Sequence, residues 1–303
     1  MINRSQIPYL LLPGLAGLEW KYPQLPRRYT EFLSVGTSEM ALERWVEMSP
    51  TSLARLKAEG TATFFDNSPG QRFIYNIEHH SYGLGFSITR EALEDNLYKQ
   101  SFHPMAMGLL QSFAQTEEIV AASVLNLGQV YNPSIGADGV PLFSTAHPID
   151  VGTYANTSQV PLQLNESALE TVLTNIRYIP DQKGLIQFFR GRKLIVPPYL
   201  QWTAERLLKS QYRTGTADND ISAIVSSGAL PEGYAVDEFL TNPNAWFVIT
   251  NVDGGVFLIR TPFEINLDVD TVTQNLLVVG YMRFGVGYKN PRFVWGEFPI
   301  NLI

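Results

Sequence analysis

Between residues 70 and 88 bulky positions alternate with small or polar ones: Phe73, Tyr75 and Ile77 against Ile74, Asn76 and Glu78, then Tyr82, Leu84, Phe86 and Ile88 against Gly83, Gly85 and Ser87. A period of two predicts strands, because successive side chains of a strand face opposite ways. The turn Asn67-Ser68-Pro69-Gly70 predicts a long hairpin pairing the first run with Thr61 to Phe65, and the bare Gly83/Gly85 face predicts close backbone approach. Upstream, residues 1 to 37 mix prolines with aromatics and keep no period, which predicts an extended arm with little core of its own. Ser38 is placed to cap a short helix through Met48, with Met40, Leu42, Trp45 and Val46 as its apolar side.

Downstream the period changes. Thr89 caps a helical segment over Arg90 to Tyr98, with Glu91, Glu94 and Asp95 at the end that favours negative charge. After Pro104, Leu110, Phe113, Ala114, Glu117, Val120, Ala121, Val124 and Leu127 recur at spacings of three and four until Gly128. That run of ~24 residues predicts a rod of roughly 36 Å. Asn132 to Asp150 is punctuated by glycine and proline and predicts loop; Leu169 to Ile179 predicts a helix stopped by Pro180. Lys193 to Val196 predicts a short buried strand entering Pro197-Pro198, and Tyr199 to Leu208 a helix. Gln211 to Gly233 is polar and predicts a surface loop, while Ala245–Thr250, Gly255–Arg260 and the segment from Val272 to Phe298 predict strands. The class is α+β.

Composition narrows the chemistry. With 45% hydrophobic and 17% charged residues the chain is globular, and no apolar run reaches the ~20 residues that cross a bilayer. The first residues lack the basic start and cleavage pattern of a signal peptide, so a cytoplasmic protein is expected. A net charge of −7 and a pI near 5.2 argue against gripping nucleic acid, though a weakly acidic wall beside packaged DNA is compatible with them. The chain has no cysteine, and no Gly-x-x-x-x-Gly-Lys-Ser/Thr motif; Gly83-x-Gly85 lacks its third glycine. Adjacent His79 and His80 on a strand face opposite ways, which predicts no metal site. Ser144, His147 and Asp150 are hydrolase residue types in a short loop without a nucleophile elbow; local turn bonds are the expected role, and no catalytic site or cofactor is expected. Glu117-Glu118, on the long helix, are expected on a solvated face or in an interface salt bridge.

Five phrases resemble the major capsid (major head subunit) family of tailed bacteriophages: Ser87-Ile88-Thr89-Arg90-Glu91-Ala92-Leu93-Glu94-Asp95; Leu142-Phe143-Ser144-Thr145-Ala146-His147-Pro148; Lys193-Leu194-Ile195-Val196-Pro197-Pro198; Asn242-Pro243-Asn244-Ala245-Trp246-Phe247; and Tyr281-Met282-Arg283-Phe284-Gly285-Val286-Gly287. They stand in the family's order and cover most of residues 85 to 303.

The resemblance implies the tailed-phage capsid fold: an arm (1–48), an extended hairpin loop (49–88), a peripheral domain with a spine helix (89–165 and 269–303) and an axial domain with a central sheet (166–268). It implies a virion shell subunit, assembled in the host bacterial cytoplasm into hexamers and pentamers around double-stranded DNA. The portal, a separate scaffolding protein and a decoration protein are the implied partners, since the chain is too compact for a built-in scaffolding segment. Phe64, Phe65, Phe73 and Tyr75 on the hairpin are expected to contact neighbours, as are Arg213, Asp218 and Asp220 around a symmetry axis, with Arg213 paired to a neighbour's aspartates. Two other readings share parts of this pattern: an encapsulin-like compartment with the same fold, and a hydrolase built on Ser144 and His147.

Overall fold

The structure is a computed structural model that describes residues 26–66, 70–94, 98–133, 135, 138–212 and 221–299, with the backbone alone for 93–94 and 98–103. Two four-stranded sheets carry it. In the first, β1 (Ser34–Thr37), β10 (Gly255–Val269), β11 (Leu276–Tyr288) and β4 (His80–Ile88) lie in that order; β1 is parallel to β10 and the other pairs are antiparallel. In the second the order is β12 (Val294–Glu297), β9 (Trp246–Thr250), β7 (Gly191–Val196) and β8 (Tyr234–Val236). A ribbon, β2 (Leu42–Ser49) with β3 (Gly70–Glu78), and a small hairpin, β5 (His147–Ile149) with β6 (Gly152–Tyr154), complete the strands described.

Short α1 (Arg90–Glu94) begins behind Thr89, whose Oγ1 accepts the amide of Ala92. The long helix α2 runs Tyr98–Asn126, 29 residues with Pro104 inside its second turn, so it starts earlier than Pro104 suggests and reaches about 44 Å. Its inner face, Leu110, Phe113, Ala121 and Leu125, packs on the first sheet. Helices α3 (Glu166–Arg177, capped by the Asn165 side chain) and α4 (Gln201–Lys209) pack on the second.

The second sheet joins two cores. Leu194, Val196, Trp246 and Val248 face α3 and α4, while Ile195, Phe247 and Ile249 face the core of the first sheet. Burial on both sides explains why β9 reads as an unbroken apolar run rather than an alternating one.

Four sequence expectations are corrected. Ser38–Met48 is not a helix: its inward set is Glu43, Trp45 and Glu47 followed by Ser49, and Val46 and Met48 point out. Polar residues occupy the inward phase, so hydrophobic spacing misreads the element. Strand β3 pairs with β2, not with Thr61–Phe65, which carries no strand. The boundary drawn at 268/269 falls at the end of β10; the chain changes sheets at 251–254 and 289–293, and β12 returns to the second sheet.

The fourth concerns the arm. Tyr29, Phe32 and Leu33 are buried in the subunit's own core, and Tyr29 begins a stack of rings through Phe257 and Phe284 to Tyr82, with centroids 4.3, 4.9 and 4.5 Å apart. Deleting residues 1 to 37 is therefore expected to give an insoluble or unfolded chain, because three buried apolar side chains and strand β1 go with it. Circular dichroism of the truncated protein checks this; native spectra and cooperative melting would return the arm to the surface.

Ribbon and first sheet cross at close range. A Cβ on Gly285 would stand 2.7 Å from the Glu78 carbonyl oxygen, and one on Gly287 2.9 Å from Ile77. The glycines of Gly285-Val286-Gly287 thus give the ribbon its crossing point over β11.

Candidate assembly surface and its polar anchor

The ribbon ends in a connection, residues 50–69, whose described part (50–66) has no strand or helix. Leu53, Leu56, Phe64 and Phe65 stand exposed there, Leu56 fully and Phe65 at 80%. The Arg55 guanidinium lies 3.9 Å over the Phe64 ring. Apolar side chains in this number on a projecting loop have no counterpart in the subunit's own core and mark a contact surface.

The expected contact residues separate. Phe64 and Phe65 are exposed, and Phe73 is half-buried against the subunit's core. Tyr75 is 1% exposed, tilted against Tyr288 at 5.8 Å, and burial pushes its hydroxyl well above the usual tyrosine range. It is a core residue with no surface to offer a neighbour, because the inward phase of β3 falls on Tyr75 and Ile77. Arg213, Asp218 and Asp220 lie outside the described residues. After them in the chain, α5 (Ala223–Ser227) inserts Ile224 into the second core, and left-handed Gly228 (φ 58°) ends it.

At the end that carries this loop, next to the Ser49–Gly70 pair, the ribbon is held by charge rather than by apolar packing. Arg292, 3% exposed, donates to Glu47 Oε1 at 3.0 Å and to the Pro180 carbonyl at 3.0 Å, and lies 4.2 Å over the Tyr154 ring. Gln182 donates to the same Glu47 oxygen at 2.5 Å. Alongside, Asp150 accepts from Ser49 at 2.7 Å, pairs with Lys183 at 2.9 Å and takes the Arg72 guanidinium. Glu47, Ser49 and Arg72 are thus tied to three separate loops at 150, 180–183 and 292. Sequence reading missed Arg292 and Glu47; a lone arginine among C-terminal strands carries no local signal of its buried partner.

This wiring does not favour the hydrolase reading. Asp150 belongs to the ribbon anchor, and the Ser144 hydroxyl accepts the Ala146 amide at 3.1 Å in a local turn. His147, 1% exposed, has Asp138 Oδ2 at 2.6 Å from Nδ1, with the Leu142 carbonyl and Asn156 Oδ1 each 3.1 Å from Nε2. Asn156 in turn donates to Leu142 and Pro291 carbonyls at 2.6 and 3.2 Å. The loop phrase around His147 is a structural staple that joins residues 138–156 to the C-terminal strand. No group of three or more His, Asp or Glu residues among those described is arranged to hold a metal ion. His79 is buried, with Ser38 Oγ 3.0 Å from Nε2, and His80 is exposed on the other face.

Glu117 and Glu118 reverse their expected placement. They are 5% and 6% exposed and face the arm: Glu118 accepts the amides of Arg28 at 2.6 Å and Tyr29 at 3.1 Å, and Glu117 pairs with Arg27 at 3.5 Å. Burial pushes the Glu118 carboxyl up to about 7, Asp237 and Glu117 adding to the rise while the two amides oppose it.

A family model described as phage capsid protein matches residues 75–295. Among solved structures, the capsid of a native GTA particle is 13% identical with a TM-score of 0.59, covering 90% of each chain. The capsid of cyanophage P-SCSP1u is 12% identical with a TM-score of 0.58, covering 91% of this chain and 90% of that one. The virus-like particle from Pyrococcus furiosus is 14% identical with a TM-score of 0.53, covering 93% and 97%. A search of curated protein sequences finds no match.

Proposed function

The chain belongs to the phage capsid protein family, and on that premise we propose that it closes hexamers and pentamers of itself into an icosahedral shell around double-stranded DNA. As a major capsid subunit it is a structural protein of the virion, and it acts by self-assembly. The observation that carries the finer reading is the projecting loop with Leu53, Leu56, Phe64 and Phe65 exposed, tied at its base by the Arg292–Glu47 contact. Apolar groups exposed on an anchored ribbon gain further burial against another copy, up to roughly 2 kcal/mol per phenylalanine. Phe64 and Phe65 are accordingly the neighbour-contact residues, with Phe73 supporting the ribbon from below.

Assembly in the host cytoplasm, with a portal and a separate scaffolding protein, belongs to the same proposal. The described residues support no catalytic role in it, since Ser144, His147 and Asp150 each serve a separate structural contact. Electron microscopy of the purified chain tests the reading. Closed shells with five-fold and six-fold capsomers are the expected result; a monodisperse monomer at tens of micromolar, with its fold intact, would overturn it. Particles from infected or induced cells should contain DNA, whereas particles filled with protein cargo would move the chain to the compartment class.

A further inference from the structure

The second sheet ends on β8, which among the described residues pairs with β7 alone. The Leu194 amide donates to the Gly233 carbonyl and the Asp237 amide to that of Val196, so residues 233, 235 and 237 are the ones turned toward β7. In such a parallel ladder Tyr234 and Val236, which lie between them, point their N–H and C=O groups outward. A cleft of about 660 Å³ runs along that outer edge, and its two sides differ. Toward α4 it is floored by Leu208 and Leu230, both packed into the second core. On the opposite face of the sheet stand Arg28, Glu31 and Lys193, with Lys193 paired to Glu31 at 2.7 Å and to Glu232 at 2.9 Å. An edge of this kind, apolar on one side and ionic on the other, is a template for one more strand.

We infer that Leu18-Glu19-Trp20-Lys21-Tyr22 of the same chain adds to this edge as a fifth strand, parallel to β8. The place where the described chain starts is the first reason. It begins at residue 26, and Arg28, two residues on, lines the cleft and reaches Glu238 at 3.6 Å, just past the C-terminal end of β8. Residues 23–26 span the short gap from that end of the strand, and a segment that runs toward it in chain order is parallel to β8. The side chains supply the second reason: Leu18, Trp20 and Tyr22 fall on one side of an extended segment and Glu19 and Lys21 on the other, which matches the apolar and ionic sides of the cleft. Third, no proline lies between Pro13 and Pro23, so every residue of the segment keeps the N–H that a ladder needs, whereas Tyr9 to Leu12 is closed in by Pro8 and Pro13. A tether this short makes the pairing intramolecular, at an effective concentration on the order of millimolar that a second copy has to outcompete.

The inference concerns one subunit and does not rest on shell formation. Hydrogen exchange at the amides of Tyr234 and Val236 reads it, in the full-length chain, in a chain beginning at residue 26 and in Trp20→Pro, which removes one ladder donor from the segment. The truncation keeps Tyr29, Phe32, Leu33 and β1, so the core stays whole, and the Val248 amide, on the central strand β9, reports that it does. Both edge amides should be protected in the full-length chain and should exchange at least about ten-fold faster in the other two proteins, with Val248 unchanged. Edge amides that exchange freely in the full-length chain, or stay protected in the truncated one, would overturn the inference. So would protection that rises with protein concentration, which would give the edge to a second copy, and loss in the truncated chain with none in Trp20→Pro, which would give it to another part of the arm. Should the truncated chain fail to fold, Trp20→Pro decides.

Discussion

Replacing Phe64 and Phe65 together by serine is expected to leave a folded subunit that no longer closes shells. Both rings are exposed, and Arg55 over Phe64 is a surface contact, so melting temperature and far-UV spectra should match the parent, with a change within ~0.5 kcal/mol. The loss falls on association. Each phenylalanine buried at a neighbour contributes roughly 2 kcal/mol, and two of them correspond to several hundred-fold or more in each association constant. Because every subunit in a shell makes the same contact, the effect recurs at every copy and assembly fails cooperatively. Sedimentation and electron microscopy of both proteins at one concentration read the outcome. Shells formed in normal yield by the double variant would show that this loop is not the contact surface.

The second large effect is on stability. Arg292→Ala should cost roughly 3–5 kcal/mol, the range for breaking a buried pair by removing one partner, because Glu47 would remain in the interior without its counter-charge. Gln182 alone, donating to the same oxygen, does not replace a guanidinium. Pairing Arg292→Met with Glu47→Gln should recover part of the loss, since no uncompensated charge is then buried. Denaturant unfolding of the parent, Arg292→Met, Glu47→Gln and the double variant closes the cycle, with Arg292→Ala measured beside them. A cost below about 1 kcal/mol for Arg292→Ala would mean that water reaches the cluster and the loop-bearing end of the ribbon is held elsewhere.

What could be read in advance divides along physical lines. Helix α2 was legible because its contacts lie on one face at helical spacing, so Leu110, Phe113 and Ala121 announce themselves locally, although the face ends on buried Leu125 and leaves Leu127 exposed. Strand β4 was legible from its period of two, β9 from its unbroken apolar run and the cap at Thr89 from its place before Arg90, whereas the cap at Asn165 was not read. Strand β2 was not. Its inward residues are Glu43, Glu47 and Ser49 beside Trp45, and a polar inward phase is invisible until Ser38, Arg292 and Asp150 arrive from elsewhere in the chain. The same holds for Glu117 and Glu118, which look solvated on a helix until the arm amides cover them.

The sequence by itself determined the α+β class, the long helix, the absence of cysteine chemistry and, through five ordered phrases, the capsid family. Each depends on short-range periodicity, on composition or on order along the chain, which linear text carries. Only the tertiary structure decided which strand pairs with β3, that Tyr29, Phe32 and Leu33 belong to the subunit's own core, and that Asp150 and His147 serve two different clusters. Those outcomes are set by partners far apart in the chain, such as Glu47 with Arg292, 245 residues away. Burial of a polar side chain is worth its cost only when such a partner is present, and local sequence cannot show that it is.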